Sequence, residues 1–318
     1  MSRILYDKSR SEGALEEPQI KSHVDDKYWK RQVIYMLQKP EWLKTRYGQN
    51  PNREAVEAVL SQLKLNTVCQ EAACPNYEEC FSKKTATFMI LGTNCTRNCR
   101  FCNVRHEAPL PIDPQEPQHV AEAVLALGLQ YVVITSVTRD DLPDGGASHF
   151  SEVIRCLRQH APDTAIEVLI PDFRGNMEAL KLVTEAGPDI ISHNMETVAA
   201  LYQEVRPQAD YAQSLALLEH IKRYNPNIRS KSGIMLGLGE SKEQVLALFD
   251  DLRTVGCEFL TIGQYLSPTR AHLPVQAYIE PAQFDEYGAI ARQKGFSFVA
   301  SAPLVRSSYQ ASEALGLS

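Results

Sequence analysis

Short apolar runs alternate with longer segments of helical periodicity from residue 86 to about residue 300. The runs have the length of strands, as in residues 87–91 and in YVVIT at residues 131–135. The segments between them repeat apolar residues at the spacing of amphipathic helices, as in residues 148–160. Parallel strands require crossover connections of about a dozen residues or more, so this alternation predicts βαβ units.

The pattern predicts seven strands and eight helices. The predicted strands are residues 87–91, 131–135, 165–170, 189–192, 232–236, 259–264 and 296–301. The predicted helices are residues 53–64, 119–127, 148–160, 177–186, 198–205, 212–224, 242–255 and 282–294. Six βα units fit here, fewer than the eight of a complete barrel.

The predicted fold class is therefore α/β, an incomplete (β/α)6 TIM-like barrel with N-terminal and C-terminal extensions covering the open end. An open doubly wound sheet is the alternative. The predicted domains are an N-terminal extension (residues 1–84), the barrel (residues 85–300) and a C-terminal tail (residues 301–318).

The composition is that of an ordinary soluble domain, with 44% apolar and 23% charged residues and a formal net charge of −6. No segment approaches the roughly 18 consecutive apolar residues of a membrane-spanning helix. The first residues also lack the apolar centre of a secretory signal. An acidic chain does not attract nucleic acid or anionic membranes non-specifically. We therefore expect a cytoplasmic protein with neither nucleic acid nor membrane as a partner.

The first 50 residues are polar, and residues 28–47 contain five aromatic side chains: Tyr28, Trp29, Tyr35, Trp42 and Tyr47. They predict an irregular arm with short helices that wraps over another part of the molecule. Basic residues cluster at residues 27–31 and 39–46. Such clusters indicate either a solvated face or a docking surface for an acidic partner protein.

Six of the eight cysteines lie between positions 69 and 102. Because the chain is long and lacks a secretory signal, these cysteines are not expected to form a disulfide framework. The second cysteine group, directly after the first predicted strand, consists of Cys95, Cys99 and Cys102. Its C-x3-C-x2-C spacing supplies three thiolates for a [4Fe–4S] cluster and leaves the fourth iron open to a small molecule. A structural zinc ion requires four ligands, and His106 is the available fourth. The spacing favours the open cluster over zinc.

The first cysteine group consists of Cys69, Cys74 and Cys80, with the spacing C-x4-C-x5-C. Three soft ligands suffice for a second cluster but not for a closed one. A structural zinc ion or a fold-stabilising cluster is the alternative. Two incomplete groups so close in sequence favour two clusters. Cys156 lies within a predicted helix and Cys257 just before a strand, so both are expected to be small core residues.

The C-x3-C-x2-C spacing, with Phe101 before the last cysteine, resembles the signature of the radical S-adenosylmethionine (radical SAM) superfamily. Together with the upstream C-x4-C-x5-C it resembles the lipoyl synthase family, over nearly the whole chain. The other segments that carry the resemblance are TSVTRDDLPDGGA (135–147), LIPDFRGN (169–176), SHNMETV (192–198), KSGIMLGLGE (231–240) and VRSSY (305–309).

The resemblance implies two [4Fe–4S] clusters and SAM as cofactors. The second cysteine group would hold the radical SAM cluster, whose open iron chelates the methionine part of SAM. The first group would hold an auxiliary cluster with Ser308 as its fourth ligand, or Ser307 as the alternative. In the family picture this auxiliary cluster is consumed as the sulfur donor when two sulfur atoms are inserted into a protein-bound octanoyl chain.

The resemblance also implies partners. The substrate would be an octanoyl group amide-linked to a lysine of a lipoyl carrier domain or H-protein. A reducing electron donor such as ferredoxin or flavodoxin, and an iron–sulfur carrier protein, would serve the clusters.

Side chains at predicted strand ends are the candidates for SAM contacts. Thr135 and Ser136 end one strand, and Asn194 and Glu196 follow another. Glycine lets a backbone approach a ligand closely, and the glycines that qualify for adenine are Gly233, Gly237 and Gly239. Arg206 is a further SAM candidate. The residues that fit a site charge and a structural ion pair equally well are Arg139, Asp140, Asp141, Arg174 and Arg206.

Two other functions fit parts of the pattern. A sulfur-inserting radical SAM enzyme of the biotin synthase kind shares the second cysteine group, but the upstream group and the terminal R-S-S-Y argue against it. A non-enzymatic zinc or cluster protein that senses metal or redox state would not cleave SAM reductively. It also leaves the barrel pattern without a purpose.

Overall fold

The computed structural model describes residues 38–44, 51–72, 74–82, 87–309 and 311–316. Across these residues a single sheet runs through eight strands in the order of the chain. The strands are β1 (Asn66–Thr67), β2 (Thr87–Ile90), β3 (Tyr131–Ser136), β4 (Ala165–Leu169), β5 (Ile190–Ser192), β6 (Arg229–Leu236), β7 (Phe259–Gln264) and β8 (Phe298–Ser301). β1 is antiparallel to β2, and every later neighbouring pair is parallel.

The strand order identifies the type of sheet. Neighbours in space are neighbours in sequence, without the reversal that defines a doubly wound sheet. Within the described residues β8 pairs with β7 and β1 pairs with β2, so the sheet stays open between β8 and β1. The predicted α/β class and incomplete barrel are confirmed, with β8 as a seventh parallel strand. The doubly wound alternative is wrong.

Helices connect the parallel strands, and local sequence sets their ends. The α-helices are α1 (Pro51–Gln62), α2 (Val68–Glu71), α3 (Tyr77–Ser82), α4 (Glu116–Leu127), α5 (Ala147–His160), α6 (Met177–Glu185), α7 (Tyr202–Val205), α8 (Tyr211–Tyr224), α9 (Lys242–Thr254) and α10 (Pro281–Gln293). Gly128 ends α4 with a left-handed backbone, φ +67°. Ser241 begins α9 with a capping box, in which Ser241 and Gln244 each accept the other's N–H.

Most elements begin or end within one to three residues of their predicted bounds, and two of the differences are the most informative. β6 begins at Arg229, well before the predicted start at residue 232, because the polar residues there are accommodated inside the sheet. The buried ammonium group of Lys231 lies 2.9 Å from Glu167 on β4. The predicted helix at residues 198–205 is a 3-10 turn, Ala199–Leu201, followed by the single turn of α7.

The end of the chain covers the floor of the barrel. The 3-10 turn Ala311–Leu315 packs against Tyr131, Ile190 and Phe259, the first residues of β3, β5 and β7. In a parallel barrel the amino ends of the strands form the face opposite the catalytic one. The turn therefore closes the structural face and leaves the carboxyl ends of the strands to the site.

The tail segment, residues 302–309, passes along the sheet between β8 and this turn. A Cβ atom at Gly263 of β7 would lie 2.0 Å from the carbonyl oxygen of Val305, so a glycine is needed where the tail segment crosses β7. Further on, the hydroxyl of Ser307 meets Asn194, just after β5. The tail segment thus contacts β7 through its backbone and the loop after β5 through the side chain of Ser307.

The N-terminal extension packs through α1 against α3 and α4. Part of the predicted arm lies outside the described residues: Tyr28, Trp29, Tyr35, Tyr47 and the basic residues 27–31. The second basic cluster, residues 39–46, is described only up to residue 44, and Trp42 is 42% exposed. Among the described helices, none combines the length and apolar character that a membrane span requires.

Candidate active site

The loop that follows β2 carries the second cysteine group at the carboxyl end of the sheet: Cys95, Cys99 and Cys102. The N–H of Thr96 ties this loop to the carbonyl of Thr138, after β3, at 3.0 Å. The backbone N–H groups of Arg97 and Thr138 both point at the sulfur of Cys95, at 3.4 Å. Hydrogen bonds to cysteine sulfurs are also found around iron–sulfur clusters, where they tune the cluster.

The thiols of the second group are not in disulfides, and the charges of Cys95 and Cys99 act on Cys102. Burial, reinforced by the neighbouring Cys99 and Cys95, raises the pKa of Cys102 to about 12. Burial also raises the pKa of Cys99, against the opposing effect of the Arg206 guanidinium. Buried thiols ionise readily only beside positive charge or a metal, so a cluster is the group that this loop suits.

Arg97, between the first two of these cysteines, is held by two carboxylates, and we call this arrangement the Arg97 clamp. Its guanidinium donates to Asp140 at 2.7 and 2.9 Å and to Asp172 at 2.6 and 2.9 Å. Asp140 follows β3 and Asp172 follows β4, so the clamp ties the cysteine loop to two strand ends. Burial alone would raise the pKa of Asp172, but hydrogen bonding and charge from Arg97 lower it to about 2.

Cys69 of the first cysteine group lies beside Thr87 at the start of β2. Burial raises the pKa of Cys69 to about 11, and hydrogen bonds from Thr87 oppose that shift. The hydroxyl of Thr87 is also 2.8 Å from the hydroxyl of Ser308. One threonine therefore contacts both the first cysteine group and the tail segment.

The other two cysteines of the first group, Cys74 and Cys80, also lie near the tail segment. Burial raises the pKa of Cys74, and the guanidinium of Arg306 is close enough to oppose the shift. Cys80 contributes to the raised pKa of Tyr309, about 12, after the larger effects of burial and Glu79. Cys74 and Cys80 therefore neighbour residues of the R-S-S-Y sequence, and Cys69 is linked to it through Thr87.

Four buried polar atoms near the carboxyl end of the barrel have no hydrogen-bond partner among the described residues: Ser136 Oγ, Asn194 Oδ1, Thr197 Oγ1 and Arg206 Nε. Buried polar groups are nearly always satisfied by protein or by a bound molecule. Ordered water, or a ligand with both hydrogen-bond donors and acceptors, would satisfy the four atoms. The amino, carboxylate and ribose groups of SAM match that requirement.

Glu196 and Arg206 bring opposite charges to the same region. Burial raises the pKa of Glu196, and the charge of Arg206 opposes the shift. Arg206 is oriented by the carbonyl of Asn194 and the hydroxyl of Tyr202, both 2.8 Å from its Nη1. Glu196 has a left-handed backbone, φ +66°, fixed by a bridge to Ile234 of β6. Non-glycine residues keep such a conformation where their surroundings impose it, often at ligand sites.

Asn194 connects this region with the tail segment. Its Nδ2 donates to Oε1 of Glu196 at 3.1 Å and to Oγ of Ser307 at 2.6 Å. A Cβ at Gly233 would lie 2.9 Å from Asn194 Oδ1 and 2.7 Å from Thr261 Oγ1. Gly233 is therefore needed to admit the Asn194 side chain, whether or not a ligand approaches it.

Two predicted SAM contacts are already bonded within the protein. The hydroxyl of Thr135 donates to the carbonyl of Leu169 at 3.0 Å. Gly237 has φ +95°, and its N–H donates to Glu240 at 2.6 Å. A Cβ at Gly237 would lie 2.2 Å from Gln264. Packing alone therefore accounts for this glycine, and its contact with adenine stays a prediction.

The remaining predicted residues separate into structural and exposed ones. Arg139 forms an ion pair with Asp141 at 2.8 Å. Arg174 and His106 are exposed. Cys257 is fully buried, as predicted, whereas Cys156 is partly buried and packs at the edge of the core. The ion-pair alternative therefore describes Arg139, Asp140 and Asp141, while Arg206 lies among the candidate ligand contacts.

Several residues around the site were not singled out from the sequence: Thr87, Arg97, Asp172, Thr197 and Tyr202. The position of Arg97 inside the cysteine spacing was the one local signal among them. The others lie in ordinary strand, loop or helix sequence, and proximity in the fold gives them their place.

The donor sets fit the groups that the resemblance implies. The second group offers three thiols next to unsatisfied polar atoms, as an open cluster with a bound small molecule requires. Among the described residues, no three His, Cys, Asp or Glu side chains surround one point as ligands of a single metal ion do. The ligands of a four-iron cluster bind separate irons.

Comparison with known proteins defines the class. Residues 89–252, just over half of the chain, match the family model of the Radical SAM superfamily. The structure resembles Streptococcus suis SuiB bound to S-adenosylmethionine, with a TM-score of 0.53 at 11% identity over 71% of this chain and 54% of that one. At this identity the likeness shows the fold alone. Fold and family model together define a radical SAM enzyme, a class that uses a [4Fe–4S] cluster and SAM.

The sequence relatives are more specific. The chain is 58% identical to lipoyl synthase of Alkaliphilus metalliredigens over 87% of its length and 96% of the relative's. It is 55% identical to lipoyl synthase of Caldanaerobacter subterraneus subsp. tengcongensis over 88% of its length and 98% of the relative's. The chain therefore belongs to the lipoyl synthase family.

Proposed function

We propose that this protein inserts two sulfur atoms into an octanoyl chain carried by a lipoyl carrier domain or H-protein. The second cysteine group would hold the radical SAM cluster, and the first an auxiliary [4Fe–4S] cluster that donates sulfur. The observation that carries the proposal is that the tail segment contacts both regions: Ser308 meets Thr87 beside Cys69, and Ser307 meets Asn194.

The radical SAM half of the site follows from the unsatisfied polar atoms. When bound, the cluster supplies the electron that cleaves SAM to methionine and a 5′-deoxyadenosyl radical. Oδ1 of Asn194 would accept a hydrogen bond from SAM, the hydroxyl of Ser136 would donate or accept one, and Nε of Arg206 would donate one. Contacts with Glu196, Thr135 and Gly237 belong to the same proposal. The surrounding barrel would shield the radical from solvent.

The auxiliary half rests on the first cysteine group and the tail segment. Ser308 is the proposed fourth ligand, because Thr87 contacts both its hydroxyl and Cys69. Ser307 is already engaged with Asn194 at 2.6 Å. An oxygen ligand is poorer than a thiolate for soft iron. That end of the auxiliary cluster would therefore be the labile one, as a consumed sulfur donor requires.

Membership of the family implies a lipoyl-carrier protein as substrate. We further propose ferredoxin or flavodoxin as electron donor, an iron–sulfur carrier protein that rebuilds the auxiliary cluster, and a cytoplasmic location. Residues 85–300 would form the catalytic barrel, with residues 1–84 contributing the auxiliary cysteines and residues 301–318 the serine ligand.

An anaerobic assay tests the proposal. The reconstituted protein is incubated with reductant, SAM and an octanoylated lipoyl domain, and the product is followed by mass spectrometry. We expect about eight irons per chain, as two four-iron clusters require, together with deoxyadenosine and a gain of two sulfur atoms. Deoxyadenosine without a change in the octanoyl domain would contradict the proposed substrate.

Cysteine variants separate the two clusters. Cys95→Ala should abolish deoxyadenosine formation, because it removes a ligand of the radical SAM cluster. Cys69→Ala should lose about half of the iron but still cleave SAM, and it should no longer insert sulfur. Cys156→Ala is the matched control, since it removes a partly buried thiol outside both groups. Lipoyl product from Cys69→Ala would rule out the auxiliary cluster as sulfur source.

A further inference from the structure

One amide side chain lies at the junction of the two proposed sites. Both N–H groups of Asn194 are used: one donates to Glu196 at 3.1 Å, beside the unsatisfied atoms, and the other donates to Ser307 of the tail segment at 2.6 Å. The carbonyl oxygen of the same amide is buried without a partner among the described residues. Asn194 is 7% exposed, so water does not supply that partner freely.

The planar amide makes these three contacts interdependent. Its two N–H bonds and its carbonyl lie in one plane, so a ligand donor that binds Oδ1 also fixes the direction of the N–H that holds Ser307. The amide lies directly over Gly233, where an added Cβ would come within 2.9 Å of Oδ1, so the space around it is tight. The position of the tail segment is therefore linked to occupancy at Oδ1.

We propose that Asn194 is a positioning residue that couples the binding of SAM to the position of the tail segment. The inference rests on the proposed function, because the tail segment matters to catalysis only if it supplies a ligand to the auxiliary cluster. Coupling is reciprocal: bound SAM stabilises the Asn194–Ser307 contact, and an ordered tail segment strengthens SAM binding. The enzyme would thereby hold the sulfur-donating cluster in place when SAM is present to begin the reaction.

A double-mutant cycle on SAM affinity tests the coupling. Equilibrium binding of SAM is measured on reconstituted full-length protein for the wild type, Ser307→Ala, Asn194→Ala and the double variant. Ser307→Ala should weaken SAM binding about three- to tenfold, the range of one hydrogen bond. It should have no further effect once Asn194 is alanine. An equal effect of Ser307→Ala in both backgrounds would overturn the proposal.

Asn76→Ala is the matched control. Its amide also holds the tail segment, donating to the carbonyl of Leu304 at 2.7 Å, and no hydrogen bond joins it to Glu196 or Ser307 among those described. Its effect on SAM affinity should add to that of Ser307→Ala. Asn194→Asp serves if Asn194→Ala does not fold, because it keeps an acceptor for SAM and loses both donors. A cycle for Asn76 as non-additive as that for Asn194 would mean general loosening and would overturn the proposal.

Measuring SAM affinity distinguishes a failure of the Asn194 coupling from a failure of the proposed function. SAM affinity depends on the radical SAM cluster, whereas iron content and sulfur insertion report on the auxiliary cluster. About eight irons and lipoyl product with an additive Asn194 cycle would remove the coupling alone. A non-additive cycle without sulfur insertion would remove the proposed function alone.

Discussion

Single residues around the cysteine loop show how buried charge is kept in place. Arg97 is 5% exposed and Asp172 is 1% exposed, and four hydrogen bonds join the arginine to its two carboxylates. Arg100, three residues after Arg97 in the same loop, is 46% exposed at its side chain. The same residue type therefore has a structural role at one position of the loop and a solvated one at the other.

Arg97→Ala should lower the free energy of unfolding by about 3–5 kcal/mol, because it leaves Asp172 buried without a counter-charge. Arg100→Ala should change it by less than about 1 kcal/mol, as for other exposed ion pairs. Anaerobic urea denaturation of the cluster-free proteins measures both. Similar values for the two variants would mean that the Arg97 clamp does not stabilise the loop.

At the scale of elements, the tail segment depends on close approach to β7. Gly263→Ala would place a Cβ 2.0 Å from the carbonyl oxygen of Val305 and displace the tail segment. We expect faster proteolysis within residues 302–309 and loss of iron from the proposed auxiliary cluster. Gly187→Ala is the control: no atom lies within 4 Å of its Cβ, and its φ of +77° costs only about 1–2 kcal/mol of strain. Wild-type iron content and proteolysis in Gly263→Ala would contradict this account of the crossing.

At the scale of the whole molecule, a buried polar network joins four strands above the barrel floor. Glu167 on β4 accepts hydrogen bonds from Lys231 on β6, at 2.9 Å to each oxygen, and from Ser192 on β5 at 2.8 Å. Tyr131 on β3 donates to the same carboxylate. The network holds β3, β4, β5 and β6 in their relative positions, and residues of the site lie just beyond the ends of these strands.

Replacing Lys231 alone should destabilise the protein more than replacing Lys231 and Glu167 together. Lys231→Met leaves a buried carboxylate unpaired and should destabilise the protein by about 3–5 kcal/mol. Adding Glu167→Leu should recover part of that loss, since apolar pairs often replace buried ion pairs at little cost. Urea denaturation of the single and double variants decides this. A double variant less stable than Lys231→Met would show that the hydrogen bonds of Glu167 with Tyr131 and Ser192 stabilise the protein more than its ion pair with Lys231 does.

From residue 87 onward, the sequence by itself determined the order and type of the strands and the long helices, because strand and helix periodicities are local properties of the chain. It also located the second cysteine group correctly after β2, since that placement requires only the adjacent strand. It did not predict the short elements β1, α2 and α3. It missed the start of β6, where a buried lysine interrupts the apolar pattern and is tolerated only because Glu167 lies across the sheet.

Only the tertiary structure decided which distant polar groups meet. Thr87 and Ser308 are 221 positions apart in sequence, Asn194 and Ser307 are 113 apart, and Arg97 and Asp172 are 75 apart. No local pattern specifies such pairs, because each side chain is an ordinary polar residue in its own segment. The sheet order brings strand ends together, and the tail segment passes close enough to touch them. The physical reason is that a hydrogen bond or ion pair depends on distance and burial, which exist only once the chain has folded.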